Sequence, residues 1–193
     1  MKTLAFLCVF VVASFALKLE NISSTMQENI DKTLLILKNT SGDKSKAAGK
    51  IFELFDPIFD YKLMAKLSLS KHYDKLSEAE KKQFSEAFEA QLKKSFTDKL
   101  HLYKDQTLKI VKGEKNDKGT RYFLTSVMRI DGEDKFVVFK FYQNPQKDWL
   151  IYDVDVLGVS IIQTYRTQFG DVLENENFQT LLEKIKAVNF YQK

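Results

Sequence analysis

The sequence contains few residues from which an active site or a metal centre could be built. It has one Cys and two His among 193 residues. The histidines, His72 and His101, fall on separate predicted helical segments, and neither belongs to a His-x-x-x-His pattern. A histidine metal site or a His-assisted nucleophile is therefore not indicated. We expect no catalytic residue, no metal ligand and no cofactor in this chain.

Long apolar runs are also scarce, and the clearest one is N-terminal. Lys2 precedes an apolar run over residues 4–12, and Ser14-Phe15-Ala16 forms a small-x-small cleavage site. A run of about nine residues is too short to cross a hydrocarbon layer of about 30 Å. The pattern predicts that residues 1–16 are a secretory signal and that residues 17–193 form a single domain. Because Cys8 lies in the signal, the exported chain would have neither a disulfide nor a reactive thiolate.

The charge is nearly balanced, at 30 basic and 26 acidic residues with a net charge of +4. A weak positive charge is compatible with contact to anionic lipid headgroups. It is much smaller than the charge of a typical nucleic-acid-binding domain, so we expect no nucleic-acid partner.

Helical periodicity precedes and follows a β-rich region. Helices are predicted at 22–37, 44–55 and 58–67, with a break at Asp56-Pro57. Ser77 and Glu80 form a capping box, which predicts a long helix from there to about residue 103. Two more helices are expected after Gly158, the last at 178–188. Aromatic residues make up 13% of the chain, so we expect a core with wide, flat side chains.

Four strands are predicted between these helices, at 107–112, 120–130, 135–143 and 149–156, joined by short polar turns. This spacing indicates an antiparallel meander. Alternation predicts the side chains of the last two strands that face the helices: Val137, Phe139 and Phe141, then Leu150, Tyr152, Val154 and Val156. The order predicts an α+β fold with N-terminal helices, a four-stranded antiparallel sheet covered on one face by helices, and C-terminal helices. A ligand cavity is expected between sheet and helices.

One pair of carboxylates leaves an enzymatic alternative open. Asp153 and Asp155 alternate on one face of the fourth strand. Such residues usually line the solvated face of a half-buried strand. In the alternative, Asp153 lies in an apolar pocket, where its raised pKa makes it the general base of a small-molecule enzyme. Ser160, after Gly158-Val159, fits a helix start better than a nucleophile, because Ile162 replaces the second glycine of a nucleophile elbow.

Two stretches of the sequence resemble the MlaC, or toluene-tolerance, family. The first is Phe59-Asp60-x-x-x-Met64-Ala65 with the Leu67-Ser68-Leu69-Ser70-x-His72-Tyr73 segment that follows it. The second and more specific one is Trp149-x-x-Tyr152-Asp153-Val154-x-Val156-x-Gly158-Val159-Ser160-Ile161-Ile162, followed by Tyr165-Arg166-x-Gln168-Phe169. The similarity spans residues 26–187. Leu157 departs from the family, which commonly has an acidic residue there.

The resemblance implies a periplasmic carrier and not an enzyme. Such a carrier binds a glycerophospholipid by its acyl chains, so the only small molecule implied is a phospholipid ligand. It shuttles that lipid between an outer-membrane lipoprotein/porin complex and an inner-membrane ABC transporter with its MCE-type component, in the system that maintains outer-membrane lipid asymmetry. A periplasmic chaperone or scaffold with a groove for polypeptide is a third interpretation.

Apolar residues on elements expected to face one another are the candidate lipid-binding residues. They are Phe59, Met64, Leu67, Phe88, Leu92, Tyr103, Phe139, Phe141, Tyr152, Val154, Ile161, Ile162 and Tyr165. Arg166, inside the second stretch, is expected either to meet the headgroup phosphate at the mouth of the cavity or to pair with a strand carboxylate.

Overall fold

The computed structural model describes residues 17–40, 43–100, 103, 106–130 and 132–187. The predicted signal at residues 1–16 lies outside the described residues. The described residues form six α-helices and five strands: α1 (Ile22–Asn39), α2 (Lys44–Phe55), α3 (Tyr61–Leu69), α4 (Glu78–Lys99), β1 (Leu108–Lys115), β2 (Arg121–Ile130), β3 (Glu133–Gln143), β4 (Trp149–Val156), β5 (Val159–Ser160), α5 (Ile161–Asn175) and α6 (Phe178–Lys186). Among the described residues, no helix combines the length and the apolar character needed to cross a bilayer.

Side-chain caps position the helices that form the cavity walls. The predicted capping box starts α4: the Glu80 N–H donates to Ser77 Oγ, and the Ser77 N–H donates to the Glu80 carboxylate. The predicted break after α2 is a 3₁₀ turn, Asp56–Ile58. Asp60 then caps α3 by accepting from the Leu63 N–H at 2.9 Å. These caps satisfy backbone donors that would otherwise be unpaired at helix starts.

The sheet is antiparallel, with the strands in the order β1-β2-β3-β4-β5. The prediction of four strands was wrong because β4 turns back sharply after Val156. Leu157 and Gly158 both have positive φ, 55° and 81°, as a two-residue hairpin turn requires. Val159 therefore pairs with Val156, which makes the two-residue strand β5 before α5 begins.

An irregularity in β4 changes which of its side chains face the helices. Phe139 pairs with Val154, whereas Phe141 pairs with Ile151, so β4 has one extra residue between these pairs. This is a β-bulge, and it reverses the alternation on one side of itself. The prediction that Leu150 and Tyr152 share a face with Val154 was therefore wrong. Ile151, which is fully buried, takes the inward position instead.

The two larger of the three apolar cores among the described residues lie on either side of the sheet–helix space. The first joins α3, α4, α5 and α6 around the fully buried rings of Phe84, Phe88 and Phe169. The second joins the inward face of β2, β3 and β4 to the start of α1, with Phe141 and Ile151 at its centre. The helices cover this one face of the sheet, as predicted. Between the two cores the packing is incomplete.

Candidate functional site

A cavity of about 760 Å³ lies between the inward face of the sheet and helices α1 to α5. This volume is within the range of small-molecule sites in proteins. The walls are mostly aliphatic and aromatic: Ile30, Leu34, Ile51, Phe52, Phe55, Phe59, Tyr61, Met64, Leu92, Phe96, Leu108, Val137, Phe139, Val154, Val156, Val159, Ile161 and Tyr165. Such a surface favours an apolar ligand without a fixed hydrogen-bonding pattern.

The mouth of the cavity is marked by wall residues that are exposed to solvent. Phe96 on α4 is 40% exposed, and Val159 on β5 is 60% exposed. Lys99, the last residue of α4, is also exposed and lines the mouth. Solvent thus reaches the cavity past the C-terminal half of α4 and past the β4–β5 turn, where both apolar and cationic side chains are exposed.

Lys93, the second cation of the cavity wall, is neutralised internally. Its Nζ lies 2.8 Å from Asp56 Oδ2 and 2.8 Å from Glu89 Oε1. Burial acts to lower the pKa of Lys93, but the hydrogen bonds to the two carboxylates outweigh burial and raise it. The Tyr61 hydroxyl donates to Asp56 Oδ1 at 2.8 Å. Burial raises the pKa of Tyr61, and this hydrogen bond raises it further. The network ties the turn after α2 to α4 at the cavity wall.

The structure brings seven of the thirteen candidate residues to the cavity wall: Phe59, Met64, Leu92, Phe139, Val154, Ile161 and Tyr165. They come from α3, α4, β3, β4 and α5 and from the turn before α3. Their contact with lipid stays a prediction.

Five candidates lie elsewhere in the packing, outside the residues that line this cavity. Leu67, Phe88 and Ile162 pack in the helix core. Phe141 is fully buried in the sheet core, where Tyr122 lies against its ring with centroids 6.4 Å apart. Tyr103 lines a separate, smaller cavity of about 380 Å³ beside α1. Apolar spacing identifies an inward face, but it does not distinguish a residue in the core from one at the cavity wall.

Tyr152 lies outside the cavity for a different reason. The bulge in β4 turns it to the outer face of the sheet, where its ring contacts Tyr142 edge-on with centroids 6.1 Å apart. The guanidinium of Arg121 lies 5.1 Å from the centre of the Tyr152 ring. An outward aromatic held in this way cannot meet a ligand on the inner face.

Helix α2 supplies wall residues that the sequence reasoning missed. Ile51, Phe52 and Phe55 all line the cavity. The signal was present, because these residues and Phe59 recur every three or four positions, as on the buried face of a helix. The Phe52 ring also packs against Phe96 of α4, with centroids 5.6 Å apart. Helix α2 thus forms one side of the opening.

Arg166 neither reaches the cavity nor pairs with a strand carboxylate. Its Nε and Nη2 donate to the carbonyl oxygen of Leu67 at 3.1 and 3.0 Å, and its Nη1 donates to Gln163 at 3.3 Å. The Leu67 carbonyl belongs to the last turn of α3, where carbonyl groups lack helical partners. Arg166 therefore joins α5 to the end of α3, and the expected strand-carboxylate pairing was wrong.

Asp153 is buried, but its carboxylate is fully engaged outside the cavity. Oδ1 accepts from the N–H groups of Val154 and Ile162 at 2.9 and 3.1 Å. Oδ2 accepts from Ser160 Oγ at 2.7 Å and from Lys140 Nζ at 3.0 Å. Burial lowers the pKa of Lys140, but hydrogen bonds with Asp155 and Asp153 outweigh it and raise that pKa. Asp153 thus organises the start of α5 and does not line the apolar cavity, where a general base would be required.

Within the described part of the chain, no three His, Cys, Asp or Glu side chains are grouped so as to hold a metal ion.

Comparison with protein families agrees with this geometry. The family model described as MlaC protein matches residues 27–187. The chain belongs to the MlaC family. The match includes all six helices except the beginning of α1, together with all five strands. It therefore covers every element that lines the cavity.

A solved structure provides a comparison for the MlaC fold. It is the phospholipid-binding protein from Ralstonia solanacearum, determined in complex with a phospholipid. The two chains superimpose with a TM-score of 0.72 at 18% sequence identity, over 84% of this chain and 93% of the other. At this identity the likeness shows a shared fold.

Proposed function

We propose that this protein is a periplasmic carrier that binds a glycerophospholipid by its acyl chains and shuttles it between two membrane complexes. The inner-membrane complex would be an ABC transporter with its MCE-type component. The outer-membrane complex would be a lipoprotein/porin assembly, and the two would together maintain outer-membrane lipid asymmetry. Membership of the MlaC family and the phospholipid held by the structural neighbour support this proposal.

The observation that carries the proposal is the apolar wall of the cavity. Transfer of acyl chains from water to such a wall yields about 0.8 kcal/mol per methylene. A dozen buried methylenes would therefore contribute roughly 10 kcal/mol before the costs of association. The binding energy comes from the apolar surface that the ligand buries and not from a hydrogen-bonding pattern, so one site accepts acyl chains of different length.

The position of the mouth determines where the headgroup lies. The exposed cation there is Lys99, whereas Lys93 is already paired with two carboxylates. A phosphate at the mouth would remain hydrated and close to Lys99. The headgroup contact expected of Arg166 is not part of the proposal, because the Arg166 guanidinium is engaged at the end of α3.

Strong burial of the chains makes unaided release slow, so unloading requires a partner. A partner can act only by binding more tightly to an open state of the carrier or by offering a competing apolar site. The membrane complexes at the two ends of the proposed route would meet this requirement.

Native mass spectrometry of protein purified without detergent tests the proposal. About one glycerophospholipid per chain is expected. A matched pair of variants links the lipid to the cavity: Val154→Trp fills the wall, whereas Val138→Trp adds the same bulk on the outer face of the neighbouring strand. Only Val154→Trp should lower the occupancy, with both folds checked by circular dichroism. A bare wild-type protein that also fails to take up added phospholipid would overturn the proposal.

A further inference from the structure

Exposed apolar side chains are concentrated at one corner of the molecule. Among the described residues, seven large apolar side chains are exposed, and four of them surround the β4–β5 turn. These four residues, which we call the mouth patch, are Phe136, Val156, Leu157 and Val159, with exposed fractions of 49, 39, 56 and 60%. Exposed apolar groups in one place mark an interaction site more reliably than scattered ones do.

The mouth patch is continuous with the cavity. Val156 and Val159 belong both to the patch and to the cavity wall. Phe96, a further exposed apolar residue, lines the same cavity from α4. An acyl chain that leaves the cavity past these side chains would therefore stay on apolar surface as far as the outside of the protein.

Leu157 combines an unfavourable backbone conformation with an exposed apolar side chain. Its φ of 55° is in the left-handed region, which is unfavourable for a leucine and is commonly occupied by Gly, Asn or Asp. The side chain gains no burial in return, because it is more than half exposed. Backbone strain of this kind is found most often at functional positions.

The charges next to the mouth patch suit a lipid surface. Strand pairing places Lys109, Val127 and Phe136 in one row across the outer face, and the Leu157 N–H donates to the Phe136 carbonyl. This row contains no carboxylate. Neither Lys109 nor Lys99, at the mouth, forms an ion pair with any described residue.

The neighbouring rows hold nearly equal numbers of acidic and basic groups. Lys140 is shared by two carboxylates, since its Nζ lies 2.6 Å from Asp155 and 3.0 Å from Asp153, and Arg129 lies opposite Asp134 in the strand register. At the end of the β2–β3 hairpin, Glu133 is paired with Lys135. Because Lys99 and Lys109 add two cations to these groups, the described charges beside the patch have a small positive excess.

We infer that the mouth patch docks on an anionic phospholipid bilayer, with Leu157 and Phe136 entering the headgroup region. Apolar side chains that enter the interface, with cations beside them, are the usual means by which a peripheral protein holds an anionic membrane. The cavity would then open directly onto the bilayer. This inference rests on the proposed function, since it describes how the carrier exchanges its ligand with a membrane.

Flotation with vesicles of phosphatidylethanolamine and phosphatidylglycerol tests the docking. Leu157→Asn removes the apolar side chain and should fold well, because Asn adopts positive φ more readily than Leu does. Leu35→Asn is the matched control, since Leu35 is 58% exposed and lies on α1, outside the four residues of the mouth patch. We expect Leu157→Asn to lower the affinity for vesicles about tenfold, which corresponds to loss of most of the transfer free energy of one buried leucine side chain. The control should bind like the wild type. Equal binding by all three proteins would overturn the inference.

The electrostatic part has its own measurement. Lys109→Gln should weaken binding to these vesicles by about fivefold and should have little effect on vesicles of phosphatidylcholine alone. An equal loss on both kinds of vesicle would contradict the assignment of an anionic surface.

Ligand occupancy separates the two proposals. Leu157→Asn should keep the bound phospholipid that native mass spectrometry detects, because its side chain lies outside the cavity wall. If the wild type carries lipid but does not bind vesicles, the docking inference fails and the carrier remains. If the wild type carries no lipid and takes none up, the carrier itself fails. If Leu157→Asn binds vesicles normally but loses delivery to a purified membrane complex, the patch docks on protein and the inference is overturned.

Discussion

Replacing Asp153 with Ala should destabilise the protein without affecting its ligand. The substitution removes the hydrogen-bond acceptor of the Ile162 N–H and of the Ser160 hydroxyl. It also removes one of the two carboxylates that bind Lys140. Loss of a helix-start acceptor costs about 0.5–2 kcal/mol, and leaving a buried donor unpaired costs about 1–3 kcal/mol. We expect a loss of about 3 kcal/mol in the free energy of unfolding, or about 6–12 °C in Tm for a chain of this size.

Asp155→Ala is the matched control for this experiment. Asp155 binds the same lysine, with 2.6 Å between Lys140 Nζ and Asp155 Oδ1, and its carboxylate has no bond to α5 among the hydrogen bonds of the described residues. Its removal should cost about 1 kcal/mol or less. Urea unfolding and native mass spectrometry on both variants give stability and lipid occupancy. If Asp153→Ala kept wild-type stability and lost its lipid, the carboxylate would act at the ligand and our assignment would be wrong.

Three further predictions concern the cavity. Phe88→Ala should lower the free energy of unfolding by about 3–5 kcal/mol in urea, because Phe88 is fully buried. Leu92→Ala, at the cavity wall, should lower lipid occupancy more than Phe88→Ala does and should lower the free energy of unfolding less. The opposite order of the two variants in both measurements would contradict the division between core and cavity. Asp56→Asn should weaken the hold of Lys93 on the turn after α2 and speed lipid transfer to acceptor vesicles, a result that an unchanged rate would refute. Burial raises the pKa of the Tyr165 hydroxyl, so as the pH rises above 10 the hydroxyl ionises first in the unfolded chain, and the free energy of unfolding should fall. Tyr165→Phe should make this fall smaller in urea unfolding measured across that pH range. An unchanged dependence of stability on pH would exclude Tyr165 as its source.

The helices and most of the sheet could be predicted because local signals and tertiary packing agree. The Ser77 capping box and the Asp56-Pro57 break each depend on a few adjacent residues, and both are present in the structure. The fifth strand could not be predicted in the same way. It requires Leu157 to adopt a positive φ, which the residue type disfavours, so the hairpin is imposed by the pairing of Val156 with Val159.

The candidate site was predicted less completely, because alternation assumes that each strand is regular. The bulge in β4 depends on how β3 and β4 align, and no property of Tyr152 itself reveals it. Phe139 and Phe141 illustrate a second limit. They are the same residue type on the same face of β3, yet Phe139 lines the cavity and Phe141 is fully buried by the sheet core. Which of them meets a ligand depends on the helices opposite.

The apolar wall of the cavity favours an occupied state in the working protein. The cavity opens to solvent past Phe96 and Val159, so without a ligand it is filled by water in contact with apolar side chains. An acyl chain in the cavity removes that apolar surface from water, which yields about 25 cal/mol per Å². Because the walls are mostly apolar, water is a poor substitute for an acyl chain, and the fold itself favours the loaded state.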